Sequence, residues 1–273
     1  MISIIILTKN EEKDLPQALQ SVQWSNDIHV LDSGSTDRTI KIAQEYGSKV
    51  SSNPFKSFGQ QRNHALDHIE TINDWILFLD ADEVVTDAFK KAMFNAIENA
   101  DDQIAGYYCC WKMMLENKWL KYCDNFPKWQ FRLMKKGMAR FIDFGHGQKE
   151  SDVKGKIVYL KEPYLHYGFS KGWNQWIDRH NRYSSLEAID RIKDKPSFKN
   201  IFSSHSSTRN PALKSWLTGL PGWPFLRFFQ TYVLNLGFAE GIPGFIYCMN
   251  MSYYEFLIQI KIRERRKDKS LKY

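Results

Sequence analysis

Three mainly apolar segments in the first third of the chain each run directly into a cluster of polar and acidic residues. The segments cover residues 2–7, 28–31 and 75–79, and apolar residues at helical spacing follow each of them. Such runs are typical of buried parallel strands, and strands that alternate with helices predict an open α/β sheet with helices on both faces. Ligands of such sheets bind beyond the carboxyl ends of the strands. The three polar clusters therefore predict one binding crevice.

The third cluster is the most informative, because two of its residues are carboxylates. Asp80 and Asp82 are separated only by Ala81 at the end of the third apolar segment. A carboxylate pair at a strand end supplies the hard oxygen ligands that Mg²⁺ or Mn²⁺ prefers, and it leaves coordination positions for substrate phosphates. The alternative is an acidic pair that caps the following helix. Since the clusters at residues 8–11 and 32–37 converge on the same crevice, we favour the metal site.

The positive charge of the chain is concentrated at its C-terminus. The 273 residues carry a formal net charge of +7, and residues 261–273 contain seven Lys or Arg against two acids. The remainder is close to neutral, which argues against a broad nucleic-acid-binding face. Residues 216–260 contain twelve aromatic residues immediately before this basic tail. That combination is typical of proteins that lie on an anionic membrane surface, and packing onto the catalytic domain or a second subunit is the alternative.

Cysteine usage and the N-terminal residues indicate the compartment. The four cysteines include no Cys-x-x-Cys pair, which predicts neither a zinc site nor a disulfide framework. The apolar run at residues 2–7 has no cationic segment before it and is too short for a signal peptide or a membrane span. A cytoplasmic protein that is peripheral on the inner face of the plasma membrane is therefore expected.

The remaining pattern divides the chain into two regions. Predicted helices and strands alternate through the first region, at helices 11–22, 38–46, 60–69 and 88–100 and strands 106–113 and 130–134. A long helix follows at residues 172–192, residues 193–214 read as a loop, and residues 215–264 are helical and aromatic. We place the boundary near residue 165. Residues 1–165 form the predicted catalytic domain, and residues 166–273 form a helical acceptor-binding or membrane-associating region.

Four segments resemble the family 2 glycosyltransferases in their order and spacing. They are residues 4–12, 30–39, 61–66 and 78–83. The resemblance is closest to the bacterial branch that builds lipopolysaccharide core and other surface polysaccharides. It implies a GT-A fold, which is a Rossmann-like mixed and mostly parallel sheet, here with a C-terminal helical extension. It also implies a nucleoside-diphosphate sugar donor, a divalent metal and inversion at the anomeric carbon.

The resemblance further implies which residues bind the donor. The positions that match the family's donor-binding segments are Thr8, Asn10, Glu11, Asp32, Ser33, Arg62, Asp80 and Ala81. Among them, Asp32 matches the acidic position that recognises the base. Many members carry a second Asp where this chain has Ser33. Uridine diphosphate is the nucleotide that this match favours.

The resemblance assigns the metal ligands and the catalytic base as well. It implies that Asp80 and Asp82 hold the metal and that His166 completes the coordination. Related members carry a His-Glu pair near the end of the catalytic domain, which is stretched here to His146 and Glu150. An inverting transfer needs a base to take the proton of the acceptor hydroxyl. Glu150 is the first candidate and Asp143 and His146 are the others, while a Glu150 that pairs with a neighbouring lysine on a solvated loop is the structural alternative.

These features together predict a metal-dependent inverting glycosyltransferase that acts on a lipopolysaccharide or another lipid-linked surface glycan. One alternative is a sugar nucleotidyltransferase, but residues 8–12 lack the glycine-rich phosphate-binding segment that such an enzyme should show after its first strand. A second alternative is a catalytically silent membrane-interaction module. The intact Asp80 and Asp82 pair argues against that module.

Overall fold

The computed structural model describes residues 1–144, 147–193 and 198–267, and these residues form two compact units. The first unit consists of Met1–Lys121 and Phe126–Lys171. The second consists of Tyr122–Asn125 and the described chain from Gly172 onward. The functional division predicted near residue 165 stays a prediction.

The described residues of the first unit form eleven strands and four helices. Its strands are β1 (Ile2–Thr8), β2 (Ile28–Asp32), β3 (Lys49–Ser52), β4 (Trp75–Asp80), β5 (Glu83–Val84), β6 (Ile104–Leu115), β7 (Lys118–Trp119), β8 (Trp129–Lys135), β9 (Arg140–Phe144), β10 (Gly147–Ser151) and β11 (Lys156–His166). Its helices are α1 (Leu15–Ser21), α2 (Thr39–Glu45), α3 (Phe58–His68) and α4 (Asp87–Glu98).

The main sheet is mixed and mostly parallel, as predicted. Its strand order is β3-β2-β1-β4-β8-β6-β11-β5, with β7 paired to β6, and β9 and β10 form a separate hairpin. Strands β1 to β4 pair in parallel, and β6 pairs in parallel with β11. Strand β8 is antiparallel to both β4 and β6. The parallel strands β1, β2 and β4 therefore deliver their carboxyl ends to one edge.

Both faces of β1 are buried, which explains why its sequence is apolar without alternation. Ile4 and Ile6 pack on one face in a cluster that includes Leu19 of α1. Ile5 packs on the opposite face in a cluster that includes Ala65 of α3. A strand that is covered on both faces has no solvent-facing residues, so its sequence shows no alternation of apolar and polar residues. The prediction of helices on both faces is confirmed.

The first helix is shorter than predicted. The spacing predicts a helix over residues 11–22, whereas α1 spans Leu15–Ser21. Residues 9–14 form a loop in which Asn10 has a φ of 54°, a left-handed conformation that ends regular structure. Helix α4 agrees more closely with its predicted range of residues 88–100. Thr86 caps its N-terminus by accepting a hydrogen bond from the backbone N–H of Phe89 at 3.1 Å.

Strands β9, β10 and β11 are absent from the sequence-based prediction. The apolar pattern of β11 is interrupted by Lys161, Glu162 and Pro163, and its pairing with β6 shifts register between Leu160 and Tyr164. Proline cannot donate to a ladder and is found at bulges and edges. The local sequence pattern therefore does not identify β11, because the position of this strand depends on its pairing with β6.

The second unit is helical. Its helices are α5 (Trp173–Lys193), α6 (Ser206–Thr218), α7 (Trp223–Phe229) and α8 (Gly241–Lys267), with short 3-10 turns at Phe198–Phe202 and Gly237–Glu240 and a π-helical turn at Gln230–Leu234. The predicted loop at residues 193–214 is wrong where α6 begins. Helix α6 tolerates an internal Pro211, and Gln259 of α8 donates to the carbonyl oxygens of Thr218 and Leu220 at its end. Among the described residues, no helix combines the length and the apolarity that crossing a membrane requires.

Candidate functional site

The turn after β2 is built around the buried carboxylate of Asp32. Its Oδ1 accepts a hydrogen bond from Thr8 Oγ1 at 3.1 Å, and its Oδ2 accepts from the backbone N–H groups of Gly34 and Ser35 at 2.8 Å each. Gly34 has a φ of 88°, a conformation that favours glycine. The sequence motif therefore folds as a tight turn that fixes the ends of β1 and β2 together.

The loop after β1 is tied to that same turn. Asn10 Oδ1 accepts from the backbone N–H of Thr36 at 2.8 Å, and the Asn10 N–H donates to Ser35 Oγ at 2.8 Å. On the other side of the turn, Gln61 of α3 donates to Ser33 Oγ at 3.0 Å. The structure thus brings together the predicted donor-binding residues of the first two clusters.

Glu11 lies in an acidic part of the site. Burial raises the pKa of its carboxyl to about 7 although an ion pair with Lys171 lowers it, and the nearby charges of Asp82 and Asp14 raise it further. Lys171 also donates to the carbonyl oxygen of Asn10 at 2.8 Å. Carboxylates that repel one another in this way are stabilised by a bound cation. The sequence-based prediction missed Lys171, because it comes from the segment after β11.

Asp80 lies between two guanidinium groups. Arg62 Nη2 donates to its Oδ1 at 3.1 Å and Arg132 Nη2 donates to its Oδ2 at 2.6 Å. Burial alone would raise the pKa of Asp80, but the charges of Arg132 and Arg62 hold it well below its usual range. Asp80 is therefore ionised and paired. Its predicted role as a metal ligand stays a prediction.

Arg62 is fully buried and donates a hydrogen bond to Asp80. Its guanidinium carbon lies 5.7 Å from the ring centre of Phe78 and 5.9 Å from that of Phe141. Within the described chain, Nε and Nη1 of Arg62 have no hydrogen-bond partner. A direct contact between Arg62 and the nucleotide stays a prediction.

Arg132 joins Asp80 to a second buried carboxylate that the prediction also missed. Its Nη2 donates to Glu83 Oε1 at 2.6 Å, and Tyr164 donates its hydroxyl to the same oxygen at 3.1 Å. Burial raises the pKa of Glu83 to about 7, although the charge of Arg132 lowers it. A sequence signal existed, because Arg132 interrupts the apolar run of β8 and a buried charge requires a partner.

Asp82 and His166, two of the predicted metal ligands, are in contact. Asp82 Oδ2 lies 3.4 Å from His166 Nε2, and both side chains are about one-fifth exposed, at 18% and 23%. Burial alone would lower the pKa of His166, but the charge of Asp82 raises it to about 9. The backbone N–H of Tyr167 donates to the carbonyl oxygen of Asp82 at 2.8 Å, which holds the two segments together.

The pair fits a divalent ion that a ligand helps to coordinate. Across residues 1–144, 147–193 and 198–267, no group of three or more His, Cys, Asp or Glu side chains is arranged to hold a metal ion. Asp82 would offer one oxygen donor, and His166 would offer one nitrogen donor once it has lost its proton. His166 Nδ1 is buried without a hydrogen-bond partner in the described residues. Mg²⁺ usually binds through one or two carboxylates and substrate phosphates. A phosphate-bearing ligand would complete this site.

Two of the three candidate bases, Glu150 and Asp143, lie on the β9–β10 hairpin and have hydrogen-bond partners. Glu150 is on strand β10 and not on a loop, and its Oε1 accepts a hydrogen bond from Tyr108 at 2.5 Å, so the structural alternative of a lysine-paired Glu150 on a solvated loop is wrong. Asp143 Oδ1 accepts from the backbone N–H of Gly59 at 3.1 Å, at the start of α3. A Cβ at Gly59 would lie 2.8 Å from that same oxygen, so the approach requires glycine. His146 lies outside the described residues.

Comparison with known proteins shows the family. Residues 3–146, just over half of the chain, match the family model described as Glycosyl transferase family 2. The chain belongs to glycosyl transferase family 2. It is therefore a glycosyltransferase, and the sugar nucleotidyltransferase and silent-module alternatives are set aside.

Two bacterial relatives align with almost the whole of this family 2 chain. A glycosyltransferase of Rickettsia felis is 28% identical over 274 residues, which cover 96% of this chain and 89% of the relative. The lipopolysaccharide core biosynthesis glycosyltransferase LpsC of Rhizobium meliloti is 24% identical over 273 residues, which cover 97% of this chain and 92% of the relative. Both alignments extend well beyond the residues that the family model matches.

A solved structure confirms the fold class. The mannosyltransferase PcManGT of Pyrobaculum calidifontis, solved with GDP-Man and Mn²⁺, superposes with a TM-score of 0.54 at 14% identity. The superposition covers 96% of this chain and 86% of that one. The predicted GT-A fold with a C-terminal helical region is therefore confirmed.

Proposed function

We propose that this protein is a metal-assisted, inverting glycosyltransferase that moves a sugar from a nucleoside-diphosphate sugar to a lipopolysaccharide or another lipid-linked surface glycan. Uridine diphosphate is the proposed nucleotide. The observation that carries the proposal is the contact between Asp82 and His166 beside the acidic group at Glu11. A cation site at the end of a strand suits a donor whose leaving group is a diphosphate.

The two contacting side chains are the proposed ligands for Mg²⁺ or Mn²⁺. A divalent ion bound there would neutralise negative charge on the leaving diphosphate. Asp82 and His166 would hold it, while Arg132 and Arg62 keep Asp80 ionised and oriented next to them. In this proposal Asp80 contacts the ribose or the metal. The two buried arginines fix the position of the Asp80 carboxylate.

The donor nucleotide occupies the edge where β1 and β2 end. Asp32 anchors the turn there, and Thr8, Asn10 and Ser33 are held against it by the hydrogen bonds described above. The backbone at Ala81 would approach the donor between the two acidic residues. Because these groups are fixed before a ligand arrives, little ordering accompanies binding.

Transfer requires a proton acceptor on the side of the acceptor glycan. The acceptor oxygen attacks the anomeric carbon, the bond from that carbon to the diphosphate oxygen breaks, and the hydroxyl proton passes to a base. Glu150 is the proposed base, and its hydrogen bond from Tyr108 fixes the orientation of the carboxyl group. Asp143 and His146 are the alternatives.

The acceptor class and the location belong to the same proposal. The likeness to LpsC of Rhizobium meliloti along almost the whole chain supports a lipopolysaccharide-type acceptor. The many exposed aromatic and aliphatic side chains of the second unit support attachment to a membrane. We therefore propose a cytoplasmic enzyme, peripheral on the inner face of the plasma membrane, whose residues 166–273 bind acceptor or membrane.

Thermal unfolding with a panel of nucleotides tests the proposal, because a ligand that binds only the folded state raises the unfolding temperature. Wild-type protein and Asp82→Asn are each heated with uridine and guanosine diphosphates and their sugars, with and without Mn²⁺. The expected result is stabilisation by one nucleotide series that depends on Mn²⁺ and is lost in Asp82→Asn. Stabilisation that ignores both Mn²⁺ and the substitution would contradict the metal-assisted reaction.

A further inference from the structure

Helix α8 exposes a continuous apolar stripe along one side. We call it the α8 stripe, and its members are Ile242, Phe245, Met249, Tyr253, Phe256 and Ile260. Successive members are three or four residues apart, so they share one helical face. Every member is 42% exposed or more, and Ile242 reaches 72%. At a rise of about 1.5 Å per residue, the stripe is about 27 Å long.

The orientation of α8 is fixed by its opposite side, which is packed inside the second unit. Tyr254 and Ile258 form a buried cluster with Ala188 of α5. Arg191 of α5 also donates to the Glu255 carboxylate at 2.9 Å. The α8 stripe is therefore the outer face of a helix whose core-facing side is already occupied.

The apolar surface continues beyond the start of α8. The ring centre of Phe245 lies 5.6 Å from that of Tyr232, which lies 6.4 Å from that of Phe238. Phe238 is 52% exposed. The neighbouring α7 and π-helical turn expose further large side chains, namely Phe225, Leu226, Phe229, Val233 and Leu234. Soluble monomers rarely expose contiguous apolar area of this extent unless it binds something.

The charge at the other end of the stripe indicates the partner. Extending the same spacing past Ile260 reaches Arg263 and Lys267, which are both exposed. The exposed neighbours at this end are Arg266 and one acidic residue, Glu264, so cations are in excess there. None of the stripe positions from Ile242 to Lys267 is acidic. One face thus presents apolar and aromatic side chains followed by cations.

We propose that the α8 stripe and its basic end dock on an anionic bilayer, with the axis of α8 lying parallel to the membrane plane. The inference deepens the proposed function and rests on it for the lipid-linked acceptor. Phe, Tyr and Ile side chains enter the boundary between headgroups and acyl chains, while Arg263 and Lys267 stay at the level of the phosphates.

A second copy of the chain suits this face less well. In a parallel pair of α8 helices, Arg263 and Lys267 of the two copies would lie against each other. In an antiparallel pair, the same cations would lie against apolar residues near Ile242. Either arrangement leaves more exposed cations than the single exposed Glu264 of each copy can pair with, at a cost in desolvation. An anionic bilayer satisfies both parts of the face at once.

Vesicle sedimentation of the full-length protein tests the proposal. The vesicles contain phosphatidylcholine alone or phosphatidylcholine with about 30% phosphatidylglycerol. Wild-type protein is expected to sediment with the anionic vesicles and much less with the neutral ones. The variant Ile242→Ser/Phe256→Ser should bind the anionic vesicles at least about tenfold more weakly, because two inserted side chains are lost.

Matched variants make the test specific. Phe202→Ser removes a side chain that is 77% exposed in the same unit but lies outside the stripe, and it should bind within about twofold of wild type. Arg263→Glu/Lys267→Glu should lose the preference for anionic vesicles. Circular dichroism and thermal unfolding check that each variant is folded. If Ile242→Ser/Phe256→Ser does not fold, Met249→Gln/Ile260→Ser replaces it as the stripe variant.

Two results would overturn the proposal. One is vesicle binding that the stripe variants leave unchanged. The other is a wild-type protein that ignores vesicles but forms a dimer that the stripe variants dissociate in sedimentation equilibrium. Nucleotide stabilisation with Mn²⁺, measured on the same samples, separates the two proposals. If stabilisation survives while vesicle binding fails, only docking is wrong, and the reverse result removes only the proposed reaction.

Discussion

His166 Nε2 lies 3.4 Å from Asp82 Oδ2, although the two residues belong to widely separated segments of the chain. Asp82 follows strand β4, and His166 ends strand β11. The short strand β5 brings them together, because Glu83 pairs with His166 in an antiparallel register. The contact therefore depends on the sheet, and any change that displaces β11 should also weaken the proposed metal site.

Replacing Asp82 by Asn should abolish most of the metal-dependent turnover. The substitution keeps the shape of the side chain but removes the negative charge that the proposed ion requires, so kcat should fall about 100-fold or more. Steady-state assays at several Mn²⁺ concentrations measure the effect. Asp87→Asn, at an exposed carboxylate in the first turn of α4, is the matched control and should keep wild-type turnover.

Replacing Arg132 by Met should destabilise the fold. The change leaves the carboxylates of Asp80 and Glu83 without their shared guanidinium, and breaking a buried pair of this kind costs about 3–5 kcal/mol. Urea unfolding gives the loss in free energy. Arg132→Lys should recover part of it but not the two-carboxylate contact. A free energy of unfolding within about 0.5 kcal/mol of wild type would contradict the structural role of Arg132.

Substitutions at the β9–β10 hairpin discriminate between the candidate bases. Glu150→Gln should lower kcat by about 100- to 10,000-fold while the KM for the donor changes little, because the base acts only on the acceptor proton. Asp143→Asn is the isosteric comparison on the same hairpin and should keep most of the wild-type rate. If Asp143→Asn is the inactive variant and Glu150→Gln is not, the assignment of the base is reversed.

Acid should unfold the protein partly through Asp27. Burial alone would raise the pKa of this carboxyl, but hydrogen bonds from Lys49, Ser3 and the backbone of Ile72 hold it well below its ordinary value of 3.8. A lowered pKa in the folded state adds stability that is complete above that value and is lost as the pH falls below it.

Asp27→Asn should therefore lose about 2 kcal/mol at pH near 7 and show a flatter decline in acid than wild type. Thermal unfolding between neutral and acidic pH measures both curves. Parallel curves for wild type and variant would show that Asp27 does not contribute to the acid transition.

The sequence predicts best the elements whose own residues determine their burial. Strand β1 is apolar on both faces, so its run of isoleucines identifies it without knowledge of its neighbours. The turn at Asp32 is partly local, because Asp32 accepts hydrogen bonds from the backbone N–H groups of residues two and three positions later. Its hydrogen bond from Thr8 depends on the pairing of β1 with β2.

The parts that the sequence did not predict depend on contacts between distant segments. The sequence shows Arg132 only as one residue of β8, because its contacts with Asp80 and Glu83 form only when the sheet is assembled. Lys171 reaches Glu11 only because the chain after β11 returns to the first loop. The helix at α6 contains Pro211, which local propensity assigns to a loop, and packing overrides that preference.

Calorimetric titration of Mn²⁺ is the most direct test of whether Asp82 and His166 hold a metal. The titration is made into the protein with uridine diphosphate present. Wild-type protein should bind one Mn²⁺ ion when uridine diphosphate is present, and it should bind Mn²⁺ far more weakly when the nucleotide is absent. Asp82→Asn and His166→Ala should each weaken binding by about tenfold or more, with Asp87→Asn unchanged. Mn²⁺ binding of wild-type strength in Asp82→Asn would contradict the proposed metal site.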